Sequence, residues 1–99
     1  MHLISIRNLR EEAEKYPDIK KQIKDWHTTV KKAEWQNLED VRKNYRDAEA
    51  VGNFTVFNIK GNDYRLIVGI NYETKKVHYK YLLTHAEYNK DKWKNDYYF

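Results

Sequence analysis

The sequence predicts an α+β fold, with helices packed on one face of a mostly antiparallel sheet, and three observations carry that expectation. Strand-like runs over 54–84 are broken at Gly61-Asn62, a two-residue loop that tight hairpins favour, and again at Glu73-Thr74-Lys75-Lys76. Ile19, Ile23, Trp26, Val30 and Ala33 recur at steps of four, three, four and three, the stripe of an amphipathic helix. Thr84-His85-Ala86-Glu87 matches the S/T-x-x-E capping box that opens a helix.

In chain order, Met1 to Ile6 alternates and predicts a short strand. Asn8, followed three positions later by Glu11, is a candidate cap for a helix carrying Leu9, Ala13 and Tyr16 on one face. Pro17 stops it, and a second helix restarts at Asp18. Its outer face carries Lys20, Lys21, Lys24, Asp25, Lys31 and Lys32, the pattern of a solvated surface. Asn37 with Asp40 caps a short helix bearing Leu38 and Val41. The segment 45–53 has no clear period and reads as the loop into the hairpins.

Pairing follows from the turns. Across Gly61-Asn62, Lys60 faces Asp63 and Asn58 faces Arg65, with Asn62 as a turn residue at positive φ. If Tyr72 faces Val77, then Arg65 faces Thr84 and Gly69 faces Lys80. One face then collects Phe57, Ile59, Tyr64, Leu66, Val68, Ile70, Tyr79, Tyr81 and Leu83 as a core. The other collects Asn58, Lys60, Arg65, Asn71, His78, Lys80 and Thr84, with Ile67 and Leu82 among them, and is expected to stay open. A helix follows from His85. The tail KDKWKNDYYF offers Trp93 and Phe99 to fold back on the body.

Ninety-nine residues suit one domain, 1–99, with one modest core. A 40% hydrophobic content, with 15% aromatic residues, supports folding rather than disorder. Of the +4 net charge, most falls in 51–99, where 8 Lys/Arg stand against 5 Asp/Glu. That bias suits a polyanionic partner and equally a solvated surface. The chain has no cysteine, so disulfide and thiol chemistry are excluded and a reducing compartment is acceptable. No apolar run approaches the ~20 residues that span a bilayer, and MHLISIRNLR lacks a signal-peptide core. A cytoplasmic, membrane-free domain is expected.

Phosphate-binding loops, G-x-G-x-x-G, HExxH and CxxC are all missing, and His2, His27, His78 and His85 lack ligand spacing. No metal or cofactor is expected. Ser5 is the only serine and has no neighbouring base in sequence, so a Ser-His-Asp hydrolase is not indicated. What remains is Arg, Lys, His and Tyr around the end of the hairpins. Such a set can cut RNA: it deprotonates a 2′-OH, protonates a leaving 5′-oxygen and holds the phosphorane charge. His85, in the first turn of a helix, stands where free N–H groups receive phosphate, with Arg65 close by. Tyr88, one turn on, is an acid, a base, a stacking platform or simply a packed aromatic. Thr84 and Glu87 read as a cap, and Lys60 and Lys80 as solvated turn and strand residues unless RNA passes over them.

At these residues the chain resembles the HigB toxins of bacterial toxin–antitoxin modules, within the RelE-like superfamily. The matching stretches are Phe57-Asn58-Ile59 with Gly61-Asn62, Tyr64-Arg65-Leu66, and Leu83-Thr84-His85-Ala86-Glu87-Tyr88. Weaker matches are MHLIS, Glu14-Lys15-Tyr16-Pro17, Trp35-Gln36-Asn37 and Asp40-Val41. The resemblance implies a RelE-like domain that cleaves mRNA in the ribosomal decoding site, without metal, leaving a 2′,3′-cyclic phosphate and a 5′-hydroxyl. It implies neutralisation by a HigA-like antitoxin with a helix-turn-helix domain. It also implies Arg65 as phosphate binder, His85 and Tyr88 as the acid/base pair, and Lys60, Lys80 and Asn58 as substrate-binding residues. Lys80 stands where relatives often carry arginine, which loses the bidentate fork toward phosphate. Asn89 stands where an acidic residue is common. Two other readings are open: a toxin that binds a cellular target such as DNA gyrase without cleaving RNA, and an inert RNA-binding module.

Overall fold

Two glycine-asparagine turns set the sheet. In the computed structural model, which describes Met1–Phe99, the strand β2 (Glu49–Val51) turns at Gly52-Asn53 into β3 (Phe54–Ile59). A second turn leads into β4 (Tyr64–Asn71), and a third into β5 (Lys76–Thr84). The first strand, β1 (His2–Ile4), pairs parallel to β5, giving the order β1-β5-β4-β3-β2. All other pairings are antiparallel, so the α+β expectation is met.

The helices are α1 (Ile6–Ala13), α2 (Lys20–Lys32), α3 (Leu38–Asn44) and α4 (His85–Asn89), with 3₁₀ turns at Pro17–Ile19 and Lys92–Asn95. The cap of α1 is Ser5, not Asn8, which lies inside the helix. Asn37 caps α3 by accepting from the Asp40 N–H at 2.9 Å. Thr84 and Glu87 form the capping box in full: the Thr84 N–H donates to Glu87 Oε1 at 3.0 Å, and the Glu87 N–H to Thr84 Oγ1 at 3.2 Å.

The stripe of α2 packs as its spacing requires. Ile19, Ile23, Trp26 and Val30 are buried with Leu9, Val41, Phe57, Ile59, Leu66, Val68, Val77 and Leu82. Trp26 and Trp35 both meet Phe57, the first edge-on at 5.5 Å and the second stacked at 6.4 Å. Each such aliphatic or aromatic side chain taken out of water contributes roughly 1.5–3 kcal/mol, so this layer carries most of the driving force.

Register is met across the β3–β4 hairpin and corrected across β4–β5. Asn58 faces Arg65, although the positive φ falls on Lys60 (51°) and Gly61 (64°) rather than on Asn62. Arg65 faces Leu83, not Thr84, and Gly69 faces His78, not Lys80. The third turn closes early because the Asn71 side chain accepts from the N–H groups of Glu73 (3.1 Å) and Thr74 (3.0 Å), so Ile70 takes Val77 as its partner. A bulge then follows: Val68 pairs with Tyr79 and Ile67 with Tyr81, leaving Lys80 without a partner. Beyond it the faces of β5 exchange. Tyr81 and Leu83 leave the expected core and join Phe54, Val56 and Ile67 on the second face, while Leu82 enters the core.

That second face is not open. The C-terminal segment crosses it and buries Trp93 against Phe54, Val56 and Ile67. Phe99 closes the contact: its carbonyl accepts from the Asn53 N–H at 2.8 Å, and its ring lies against Gly52 and Phe54.

Candidate active site

Asn62 is the hub of the site. Its main-chain carbonyl accepts from Arg65 Nη1 at 2.9 Å and pairs with His85 Nδ1 at 2.9 Å. A carbonyl oxygen can only accept, so Nδ1 carries a proton, and the neutral tautomer this bond selects has its lone pair on Nε2. Arg65 is fixed further by donating to its neighbour's carbonyl, that of Tyr64, at 3.2 Å. The His85 N–H donates to the Asp63 carbonyl at 2.9 Å, and the Glu87 N–H is taken by the cap. Two N–H groups of the first turn of α4 are therefore engaged with the protein, which narrows the room for a phosphate there.

Arg65 also lies over Tyr88, its guanidinium carbon 5.2 Å from the ring centroid. Burial pushes the Tyr88 hydroxyl above its ordinary range, the nearby Glu49 adds to this, and Arg65 pulls it part of the way back. At neutral pH the group is a phenol, a proton donor rather than a base.

Arg65 and Tyr88 line a polar cleft of about 440 Å³ with Asn58, Glu49, Arg42 and Arg46. The two added arginines come from α3 and the segment after it. Arg42 is held by Nε donating to the Ala48 carbonyl at 2.8 Å. The ion pairs of the protein engage Arg7 and several lysines, whereas Arg42, Arg46 and Arg65 form none. Asp47 also lines the cleft, so three guanidiniums stand against two carboxylates with which they form no ion pair. The surplus favours an anion with several oxygens, and guanidinium suits phosphate. His85 is exposed at the rim rather than in the lining. No three His, Asp or Glu side chains converge as metal ligands.

Of the residues singled out in sequence, Arg65, Tyr88 and Asn58 share this cleft and His85 borders it. Lys60 does not reach it: its ammonium pairs with Asp18 at 3.0 Å and its N–H donates to Gln22, tying the turn to α2. Lys80 lies on the same sheet face but at the far end, over the rings of Phe54 (5.6 Å) and Tyr98 (4.5 Å) and 3.9 Å from Asp96. Sequence reasoning missed Arg42 and Arg46. The signal was present in Gly52-Asn53, a repeat of the Gly61-Asn62 turn, which places β2 and so brings the preceding basic segment beside β3.

A five-stranded sheet with helices on one face and a basic cleft on the other fits the RelE-like toxic components of toxin–antitoxin systems. Residues 19–91 match the family described as HigB toxin, RelE-like toxic component of a toxin–antitoxin system. Among curated proteins the chain is 30% identical over 95 residues to the mRNA interferase toxin HigB of Escherichia coli K12, covering 90% of this chain and 88% of that protein. The mRNA interferase HigB of Shigella flexneri matches to the same extent. The mRNA interferase HigB of Escherichia coli O6:H1 is 28% identical over 93 residues, 91% of this chain and 90% of its own. The chain belongs to the HigB toxin family. No helix is long and apolar enough to cross a membrane.

Proposed function

We propose that this toxin is an endoribonuclease that cleaves messenger RNA on the ribosome, with Arg65, His85 and Tyr88 at its centre. The observation that carries the reading is the shared Asn62 carbonyl: one acceptor fixes both the Arg65 guanidinium and the His85 tautomer, beside two arginines that form no ion pair. The activity named for the curated relatives is consistent with it.

His85 Nε2 removes the 2′-OH proton, and the 2′-oxygen attacks the adjacent phosphorus. Arg65, with Arg42 and Arg46, holds the charge that builds on the phosphorane oxygens. The P–O5′ bond breaks, and the Tyr88 hydroxyl gives its proton to the departing 5′-oxygen. The products are a 2′,3′-cyclic phosphate and a 5′-hydroxyl, and solvent returns His85 and Tyr88 to their starting protonation states. Asn58 contacts the strand beside the cleaved phosphate. With so few free cations the chain binds free RNA weakly. The ribosome supplies the in-line geometry, which accounts for much of the rate. A cognate helix-turn-helix antitoxin of the HigA type neutralises the protein.

Mapping mRNA 5′ ends in a purified translation system, with and without ribosomes, tests this. Wild type is expected to cut only with ribosomes, and Arg65→Ala to lose roughly 10²–10³ in rate while remaining folded. A folded Arg65→Ala that cuts at the wild-type rate removes the assignment of the centre. Toxicity from wild type with intact mRNA points instead to a toxin that sequesters a cellular target.

A further inference from the structure

We infer that the far end of the same sheet face is a second RNA subsite, where Tyr98 and Tyr97 stack an unpaired base flanking the cleaved phosphate. This rests on the endoribonuclease reading above.

The C-terminal segment divides the second face into two hollows joined by an unbroken ladder of rings. Arg65 lies over Tyr88, Tyr88 stacks on Trp93 at 5.1 Å, and Trp93 meets Phe99 edge-on at 5.4 Å. Phe99 meets Phe54 at 6.0 Å, and beyond Phe54 the Lys80 ammonium lies 4.5 Å from the Tyr98 centroid. Asn53, Asn71, His78, Lys80 and Tyr98 line this second hollow, of about 430 Å³, together with Phe54, Gly69 and Ile70. Gly69 marks its floor four residues along β4 from Arg65, so the hollows lie about 13 Å apart. A few nucleotides of one single strand span that distance.

The hollow's chemistry suits a base rather than a phosphate. Lys80 is already 3.9 Å from the Asp96 carboxylate, which would repel a second anion. The Asn53 amide and the His78 imidazole offer both donors and acceptors for base edges, and the Asn71 amide, whose oxygen is taken by the turn, adds a donor. Tyr97 and Tyr98 are 92% and 63% exposed, while their neighbours Trp93 and Phe99 are tucked against the sheet. The two tyrosines meet edge to face at 5.1 Å and 87°. Tyr98 is thus braced by Lys80 and Tyr97, a π-face next to a cation of the kind that single-stranded RNA uses.

The test is end mapping in the purified translation system with wild type, Tyr98→Ala, Tyr98→Phe and Arg65→Ala. Tyr98→Ala is expected to keep cutting but to lose about tenfold in rate at preferred sites, with a flatter base distribution at one flanking position. Tyr98→Phe, which keeps the ring, is expected to restore both. A folded Tyr98→Ala with wild-type rate and distribution overturns the subsite alone, since wild type still cuts and Arg65→Ala still cuts roughly 10²–10³ more slowly. Wild type that cuts nothing overturns the endoribonuclease reading and the subsite with it.

Discussion

Trp93 lies flat on Tyr88, the ring planes 16° from parallel and the centroids 5.1 Å apart, and its indole N–H donates to the Tyr88 carbonyl at 3.0 Å. The residue proposed to protonate the leaving group is thereby positioned from beneath by a side chain that touches no substrate. Trp93→Phe keeps a ring under Tyr88 and loses the hydrogen bond, so it is expected to cost about 1 kcal/mol in urea unfolding and to cut at a reduced rate. Trp93→Ala empties a buried position and is expected to cost about 3–5 kcal/mol. Stability and cleavage measured on the same preparations check both; a Trp93→Ala protein with unchanged stability would contradict the docked tail.

Arg46 is exposed, lines the cleft and has no ionic partner, which makes it separable from the fold. Arg46→Ala is expected to leave unfolding within ~0.5 kcal/mol of wild type. It is also expected to lower the slope of log affinity against log salt, for a non-cleavable 2′-O-methyl RNA, by about 0.7. An unchanged slope would take Arg46 off the RNA path.

Gly52 has φ +58°, and a Cβ there would meet the Phe99 carbonyl oxygen at 2.7 Å and its ring at 2.8 Å. Gly52→Ala adds left-handed strain of about 1–2 kcal/mol to a clash with main chain, so Phe99 is expected to leave its seat. Limited proteolysis should then cut the C-terminal segment faster than in wild type. Gly61, with φ +64° and no neighbour within 4 Å, supplies the control: Gly61→Ala carries the strain without the clash and should leave the tail protected.

The tail also has a pH window. Tyr81 donates to Asp96 at 2.7 Å, and this bond, with the Tyr98 N–H and then Lys80, holds the Asp96 carboxyl below its usual range. The same bond, aided by burial, pushes the Tyr81 hydroxyl up. Because the Asp96 value is depressed on folding, its contribution is present above the ordinary carboxylate range and is lost as pH falls through the depressed value. Because the Tyr81 value is raised, its contribution is complete below about 10 and is lost as pH climbs through the raised value. The Trp93 indole N–H resonance is expected to hold its position between those limits and to shift toward solvent-exposed values outside them. A shift near neutral pH would contradict this pairing.

The α2, α3 and α4 helices and the β3–β4 hairpin were legible because their signals are local, whereas sequence reasoning misplaces the α1 cap and reads β2 as loop. The α2 stripe, the Asn37 and Thr84 caps and the Gly61-Asn62 loop each depend on a few adjacent residues, and each appears where its chemistry places it. The β4–β5 hairpin was not, because register beyond a bulge depends on which residue is left unpaired, and alternation alone does not show that at Lys80. The cleft was half legible for the same reason. Arg65 announces itself as a cation in mid-strand, whereas Arg42 and Arg46 acquire meaning only once β2 folds them alongside β3. Lys60 and Lys80 look alike in sequence, and only tertiary placement shows each next to a carboxylate and outside the Arg65 cleft.

The bulge at Lys80 lets a single strand serve two masters. Before it, Val77 points down into the helix-covered layer; after it, Tyr81 and Leu83 point up beneath the C-terminal segment while Leu82 still reaches the layer below. One supernumerary residue thus acts as a phase shifter, and what matters there for the architecture is the count of backbone units rather than the identity of the side chain. A lineage can exchange the residue at position 80 with little consequence for the fold. It cannot drop the residue, because the strand beyond would return to its earlier phase and present the wrong side chains to both layers at once.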